Sequence, residues 1–345
     1  MGRRVLITGI GSFWGGRVAQ ALEGHPDVDT IVGLGVEEPT VELERTEYVR
    51  ADQSYSILAR LVRATGVDTI LHTFLLVDSS RVSGRQLHEV NVIGTMNLLA
   101  AAGAPGSSVR TVVVKSSTLV YGSNLNDPAW FREEMSRTGS PRTRVERSLL
   151  EVEGYLRDFA EDNPHVDVTL LRFANVVGSD IKTPITTALQ LPATPSIFGF
   201  DPLLQFVHED DVVRSIEFVM TASVPGVFNV AGDGKLPWSE AAAICRRPLL
   251  PLPPVMTSVA AAPLGRLGLV DLPPELLALL RYGRGVDNRR LKQHGFSYGY
   301  TSAGAVEAFA QTSRLRRTVG NKPAYKYERD VDNFFRHSPA VIRQS

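Results

Sequence analysis

The run Val5-Leu6-Ile7-Thr8-Gly9-Ile10-Gly11-Ser12-Phe13-Trp14-Gly15-Gly16 places Gly9, Gly11 and Gly15 directly after a short apolar segment. Glycine in such a turn permits tight backbone geometry and lets main-chain N–H groups approach a diphosphate. A helix that starts there offers its positive N-terminal end to the same anion. Thr8, Ser12, Phe13 and Trp14 belong to this turn and are expected around the cofactor with the three glycines. An acidic residue at the end of the next strand normally accepts hydrogen bonds from the ribose hydroxyls. That strand, Thr30–Leu34, is followed by Gly35, with Glu37 and Glu38 close behind, either reaching in or standing as solvated loop residues. With no arginine visible nearby to pair a 2′-phosphate, NAD is favoured over NADP. His72, at the end of a further strand, is a candidate acid or base or a packed core histidine. Cys245 is the sole cysteine, which excludes an internal disulfide and a thiolate metal cluster. His208 and Glu209 are adjacent, and no stretch has metal-ligand spacing.

The elements that must hold these residues follow an alternating rhythm. Strands are expected at Arg4–Thr8, Thr30–Leu34, Thr69–His72, Thr111–Ser116 and Val168–Phe173. Helical spacing of apolar residues marks Gly15–Leu22, Ser56–Thr65, Leu87–Ala102 and Arg144–Phe159 between them. Strands separated by such helices imply right-handed βαβ crossovers and an α/β fold with a doubly wound parallel (Rossmann) sheet. Buried parallel strands read as continuous apolar runs, as at Val112–Val114. After residue 180 prolines cluster and the rhythm loosens. The expected organisation is a dinucleotide-binding domain over 1–180, a smaller C-terminal substrate domain over 181–311 partly interleaved with it, and a polar tail over 312–345. A strand-like Val227–Val230 is placed in the second part.

Composition sets outer limits. The 345 residues are 43% hydrophobic and 21% charged, and 37 Lys plus Arg balance 37 Asp plus Glu. No surplus positive field exists to drive nucleic-acid or acidic-membrane binding. The apolar stretch Leu249–Leu280 carries several prolines with Arg266, Asp271 and Glu275, so a membrane span is not expected. MGRRVLITG lacks the long apolar segment of a secretory signal, which leaves a cytoplasmic protein as the expectation.

Six further segments occur in an order that resembles the extended short-chain dehydrogenase/reductases, the group of UDP-galactose 4-epimerase and the nucleotide-sugar dehydratases. They are Val67–His72, Asn91-Val92-Ile93-Gly94-Thr95, Ser116-Ser117-Thr118-Leu119-Val120-Tyr121-Gly122, Leu171–Gly178, Phe206–Val212 and Asp287–Leu291. The glycine turn is similar to the family's Thr-Gly-x-x-Gly-x-x-Gly, with Ser12 at the middle glycine. The resemblance implies that the turn binds the cofactor diphosphate, that Asp52 contacts the adenine edge, and that His72, Thr73, Asn91, Ser116 and Asn175 lie along the cofactor. It also implies hydride transfer between nicotinamide and a carbon bearing a hydroxyl, on a small-molecule substrate. Relatives commonly dimerise through helices corresponding to 87–102 and 144–159.

That chemistry needs a Ser holding the substrate oxygen, a Tyr whose phenolate acts as base, and a Lys four residues later. The resemblance places the Ser at Ser117, with Thr118 beside it, and puts Thr143 at the Tyr position and Arg147 at the Lys position, where Arg147 can still bond a ribose. Thr143 cannot serve as the base, because an aliphatic hydroxyl holds its proton far more tightly than a phenol. Tyr121 is a possible recruit. Three readings follow: an NAD-dependent epimerase, dehydratase or reductase with a degenerate motif; a non-catalytic dinucleotide sensor or scaffold; and a non-redox enzyme on the same fold. The residues Leu249, Leu250, Leu252, Val255, Met256, Leu264, Leu267, Leu276, Leu277 and Leu280 either line the site for an apolar substrate or form the second domain's own core.

Overall fold

The computed structural model describes residues 2–79, 82–254 and 272–319. The apolar positions Val255, Met256, Leu264 and Leu267, and the tail from residue 320, lie outside the described residues. β1 (Arg3–Thr8) passes through the glycine turn into α1 (Phe13–Glu23), followed by β2 (Val28–Gly35), β3 (Thr46–Arg50), α2 (Tyr55–Thr65) and β4 (Thr69–His72). α3 (Gly84–His88) continues through a π-helical turn (Glu89–Ile93) into α4 (Gly94–Ala102). β5 (Thr111–Ser117), a 3-10 turn (Thr118–Tyr121), α5 (Arg144–Asp162) and β6 (Asp167–Phe173) complete the first half.

The second half begins with β7 (Asn175–Val177), α6 (Pro184–Gln190), β8 (Thr194–Ile197), β9 (Leu203–Leu204), β10 (Phe206–His208) and α7 (Glu209–Ala222). It continues with β11 (Gly226–Val230), β12 (Leu236–Pro237), α8 (Trp238–Ile244), β13 (Leu249–Leu252), α9 (Pro274–Tyr282), α10 (Arg289–Gln293) and α11 (Ser302–Val319). The residues after 312 therefore begin as helix, where a polar tail was expected.

The central sheet has seven strands in the order β11-β6-β5-β4-β1-β2-β3, every neighbouring pair parallel. Its inner strands are apolar on both faces, and Val5, Leu6, Ile7, Val112, Val113 and Val114 are all buried. One core lies on the face covered by α2, α4 and α5, with Leu58, Leu98, Leu149 and Val114. The other face carries α1 and α7, with Val18, Ile216, Ile7 and Phe173. A third core gathers Ile185, Leu204, Trp238, Leu276, Leu279 and Phe309 from the C-terminal half beside the sheet.

Two strands differ from the sequence reading. Val227–Val230 is not in the smaller lobe: it returns to the main sheet and pairs with β6, because its buried Phe228 and Val230 complete the core on the α7 face. Thr46–Arg50 forms an edge strand on β2. An edge strand is covered on one side only, so it carries none of the continuous apolar signal of the inner strands.

Candidate active site

The glycine turn is a compact knot closed by its own backbone. The Gly9 and Ile10 amides donate to the Leu34 carbonyl, and the Ser12 amide donates to the Gly9 carbonyl. Gly9 adopts φ 74, and an added Cβ there would meet Phe74 at 2.3 Å; at Gly15 it would meet the Gly9 carbonyl oxygen at 2.2 Å. These are positions that only glycine fills. Ser12, at the family's middle glycine, caps α1: its Oγ accepts from the Gly15 amide at 3.1 Å. Phe13 and Trp14 turn their rings into the α1-face core, edge to face at 4.9 Å. Among the described hydrogen bonds, none uses the amides of Gly11, Phe13 and Trp14. Three donors at a helix N-terminus therefore lack an acceptor, which is what a diphosphate supplies.

Beneath the turn, His72 is fully buried, with Nδ1 2.6 Å from Thr8 Oγ1 and Nε2 3.1 Å from Thr95 Oγ1. Burial, reinforced by the charge of Lys115, pulls its pKa down to about 4. It is a neutral tie between β1, β4 and α4. Thr73 donates to the Thr8 carbonyl. Asn91 holds the segment after β4 from both sides, accepting from the Leu76 amide at 2.8 Å and donating to the Leu76 carbonyl at 2.9 Å.

The end of β5 sends successive side chains to opposite faces. Ser116 donates to Glu153 of α5 at 3.0 Å, and Glu153 also holds Arg172 of β6 at 2.5 Å. Arg172 donates to Tyr121 Oη at 2.6 Å, and Tyr121 donates to Asn229 at 2.9 Å. Tyr121 is thus 1% exposed, stacked on Phe131 at 4.5 Å and held in a closed network, and its pKa is raised by burial. It does not reach the cavity, so its recruitment as a base is not supported.

Lys115 points the other way and was not singled out from the sequence. It is 5% exposed, and its Nζ lies 5.3 Å from the Trp14 ring centroid and 6.0 Å from that of Phe173. Desolvation alone pulls its pKa down to about 8. The two rings contribute about 1–2 kcal/mol, whereas burying an ammonium costs several.

Lys115 opens into a cavity of about 100 Å³ above the sheet, with Ser117, Thr118 and Asn175 in its wall. Val77, Leu119, Phe173, Ile185, Leu276 and Leu279 make most of the remaining wall apolar. Ser117 Oγ accepts from the Leu119 amide at 3.2 Å, which leaves its own proton for a ligand oxygen. Asn175 is tied to the Gln205 carbonyl. Arg284 closes one side, donating to the Gly122 carbonyl, and burial lowers its pKa to about 10. Glu275, at the start of α9, is 6% exposed; its Oε2 accepts from Ser79 at 2.9 Å, and its Oε1 is buried with no partner.

Thr143 and Arg147 are not in this cavity. They line a second one, of about 340 Å³, with Arg142, Arg144 and Ser79, and Glu275 borders both. Thr143 is the N-cap of α5, its Oγ1 accepting from the Glu146 amide, and the exposed Arg147 donates to the Thr143 carbonyl. Thr118 thus stays with Ser117, while the two positions aligned on the Tyr and Lys stand apart from them.

At the far end of the turn, Asp52 is exposed and accepts from the Ser54 amide. The Glu37 carbonyl abuts Gly11, 2.4 Å from where a Cβ would stand. The premise that no arginine lies near the end of β2 is corrected by β3, which sets Arg50 in register with Gly35. The arginine is fifteen residues away in sequence and adjacent only through strand pairing.

With this geometry in place, residues 5–231 match the family model described as NAD dependent epimerase/dehydratase family. The chain belongs to that family. An uncharacterized protein of Mycobacterium tuberculosis is 34% identical over 320 residues, covering 90% of this chain and 84% of that protein. A UDP-glucose 4-epimerase of Yersinia pestis is 38% identical over 89 residues, about a quarter of each chain. Among solved structures, the dTDP-glucose 4,6-dehydratase of Bacillus anthracis in complex with NAD superposes with TM-score 0.69 at 15% identity, covering 92% of this chain and 98% of that one. The UDP-glucose 4-epimerase of Thermotoga maritima with UDP-glucose also gives 0.69, at 17% identity, covering 92% and 100%. These likenesses establish the epimerase/dehydratase fold. Among the described residues no helix is long and apolar enough to cross a membrane.

Proposed function

We propose that the chain binds NAD at the glycine turn and oxidises or reduces a small molecule bearing a hydroxyl or carbonyl group in the cavity over Ser117. The observation that carries this reading is the set of acceptor-less amides at Gly11, Phe13 and Trp14, linked by the Trp14 ring to Lys115 in the wall that also holds Ser117. Thr8, Gly9, Gly15 and Ser12 shape the turn, and Thr73, His72 and Asn91 fix the strand end under it. A nicotinamide held there supplies the hydride acceptor or donor.

The protein's own groups handle the oxygen and its proton. Ser117 Oγ, already accepting from Leu119, donates to the substrate oxygen and orients it. The proton-accepting role that Thr143 lacks falls to Glu275, a wall residue of the same cavity whose Oε1 has no partner. The apolar lining suits an apolar-bodied alcohol or ketone better than a charged sugar nucleotide. Ile93, Met96 and Tyr155, exposed on the paired helices α4 and α5 and the π-helical turn, support the homodimer expected there; sedimentation analysis tests it.

Titration calorimetry with NAD and NADP, followed by nicotinamide absorbance against a panel of apolar alcohols and ketones, tests the reading. Glu275→Gln is expected to keep cofactor binding and lose turnover by about 100-fold or more, as for removal of a general base. Ser117→Ala is expected to act in the same direction. NAD bound tightly with no hydride exchange in the wild type would replace this reading by the sensor, which the capping role of Thr143 and the buried Tyr121 favour. An absence of dinucleotide binding would remove both.

A further inference from the structure

We infer that Lys115 is a cofactor-binding residue, its ammonium pairing with the phosphate groups of the dinucleotide bound at the start of α1. This rests on the dinucleotide reading above and names a contact that the glycine turn alone does not provide.

Lys115 stands on a central strand, 5% exposed, with the Trp14 and Phe173 rings near its ammonium. Trp14, one of them, is the second residue of α1, and its amide and that of Phe13 have no acceptor either. One residue, Trp14, thus carries both the ring over the desolvated ammonium and an acceptor-less amide at the positive end of the α1 dipole, and an anion bound at that helix start would offset both charges. The charged groups on the surrounding elements are already engaged. On α7, Glu209 accepts from the amides of Ser179, Asp180 and Ile181, and Asp211 holds Arg214 and the amides of Gly299 and Tyr300. Asp210 pairs with Arg17 of α1 and with His208 of β10. His72 of β4 is held by Thr8 and Thr95, while Arg172 and Glu153 face the other side of the sheet and bind each other. Glu275, across the cavity, is the exception: its Oε2 accepts from Ser79 while its Oε1 has no partner. Among the described residues no carboxylate offsets the burial of the Lys115 amine, and the cofactor diphosphate belongs at the amides of the helix start whose Trp14 ring covers it.

The pairing has a signature separate from catalysis. Burial holds the free amine's pKa at about 8, so above that pH it is largely neutral. A phosphate anion placed against it raises that pKa, and binding then takes up a proton. Below about pH 7 the amine is already charged and uptake vanishes.

The test is calorimetry of the full chain with NAD at pH 8.5, in buffers of low and high ionisation enthalpy, for the wild type, Lys115→Met and Lys115→Arg. The wild type is expected to take up a fraction of a proton on binding. Lys115→Met is expected to bind about 10- to 100-fold more weakly with no uptake, as for loss of a charge-assisted bond. Lys115→Arg, which keeps the charge at every pH, is expected to retain most of the affinity and also show no uptake. Adenosine, which lacks the phosphates, is expected to bind all three alike. Wild-type affinity and uptake in Lys115→Met would overturn the inference and leave the dinucleotide reading standing. A wild type that binds no dinucleotide would overturn both. If Lys115→Met fails to fold by circular dichroism, loss of proton uptake in Lys115→Arg decides the matter, and uptake unchanged there overturns the inference.

Discussion

Ser116 and Lys115 are neighbours on one strand, yet they face two chemically opposite worlds. On the α5 side, Ser116, Glu153, Arg172, Tyr121 and Asn229 form a chain in which each polar group has a partner. On the α1 side, Lys115 has two aromatic faces and no carboxylate. The first arrangement is complete without a ligand and holds the architecture. The second is incomplete without one, and incompleteness of that kind marks a place where something binds.

Breaking the closed side should have the largest effect. Glu153→Ala leaves the Arg172 guanidinium buried without its counter-ion, and a loss of about 3–5 kcal/mol in urea unfolding is expected. Arg172→Ala should cost a similar amount by stranding Glu153. A loss under about 1 kcal/mol would show that the network is dispensable.

The open side should show itself through pH. The folded protein gives up the Lys115 proton at about 8, against 10.5 for an ordinary lysine. Between those values the unfolded chain binds more protons, so stability rises with pH. Relative to Lys115→Met, the wild type should gain up to about 3 kcal/mol between pH 7 and pH 10. Parallel pH profiles for the two proteins would contradict the desolvated amine. His72 gives a second window at lower pH. Its folded pKa of about 4 lies below the usual 6.5, so the unfolded chain takes the proton first as pH falls and stability is lost from about 6.5 downward. A mutant with Gln at position 72 should unfold with a flatter profile across that range.

Two caps sharpen the contrast at smaller scale. Thr143→Ala should cost about 1 kcal/mol of stability, measured by thermal melting, and leave cofactor affinity and turnover of the folded enzyme unchanged. A selective loss of turnover would return Thr143 to the chemistry. Ser12→Gly, which restores the family's middle glycine, should cost only a few tenths of a kcal/mol and leave NAD affinity within about twofold.

The central sheet was readable because its inner strands announce themselves as apolar runs between helical patterns. β3 was not, because Thr46-Glu47-Tyr48-Val49-Arg50 is a half-exposed edge, and with it went the proximity of Arg50 to Gly35. Ser117 and the glycine turn followed from linear motifs. Lys115 was overlooked beside them although a signal existed: a charge between Val114 and Ser116, inside a strand apolar on both faces, must be buried. Glu275 carried no such mark, since it opens a short helix after a proline-rich stretch and meets Ser117 only through tertiary packing. Motif alignment placed Thr143 and Arg147 at functional positions, but alignment says nothing about which cavity a helix start will face.

The π-helical turn at Glu89–Ile93 carries a consequence for how the chain tolerates length changes. An additional residue in one turn rotates everything before it by about 100° relative to an uninterrupted α-helix. Removing one residue from that turn would restore helical regularity while swinging Gly84–His88 away from its present bearing, and the hold of Asn91 on Leu76 would be lost. A local irregularity that looks like a defect in the helix thus sets the position of a loop at the edge of the cavity.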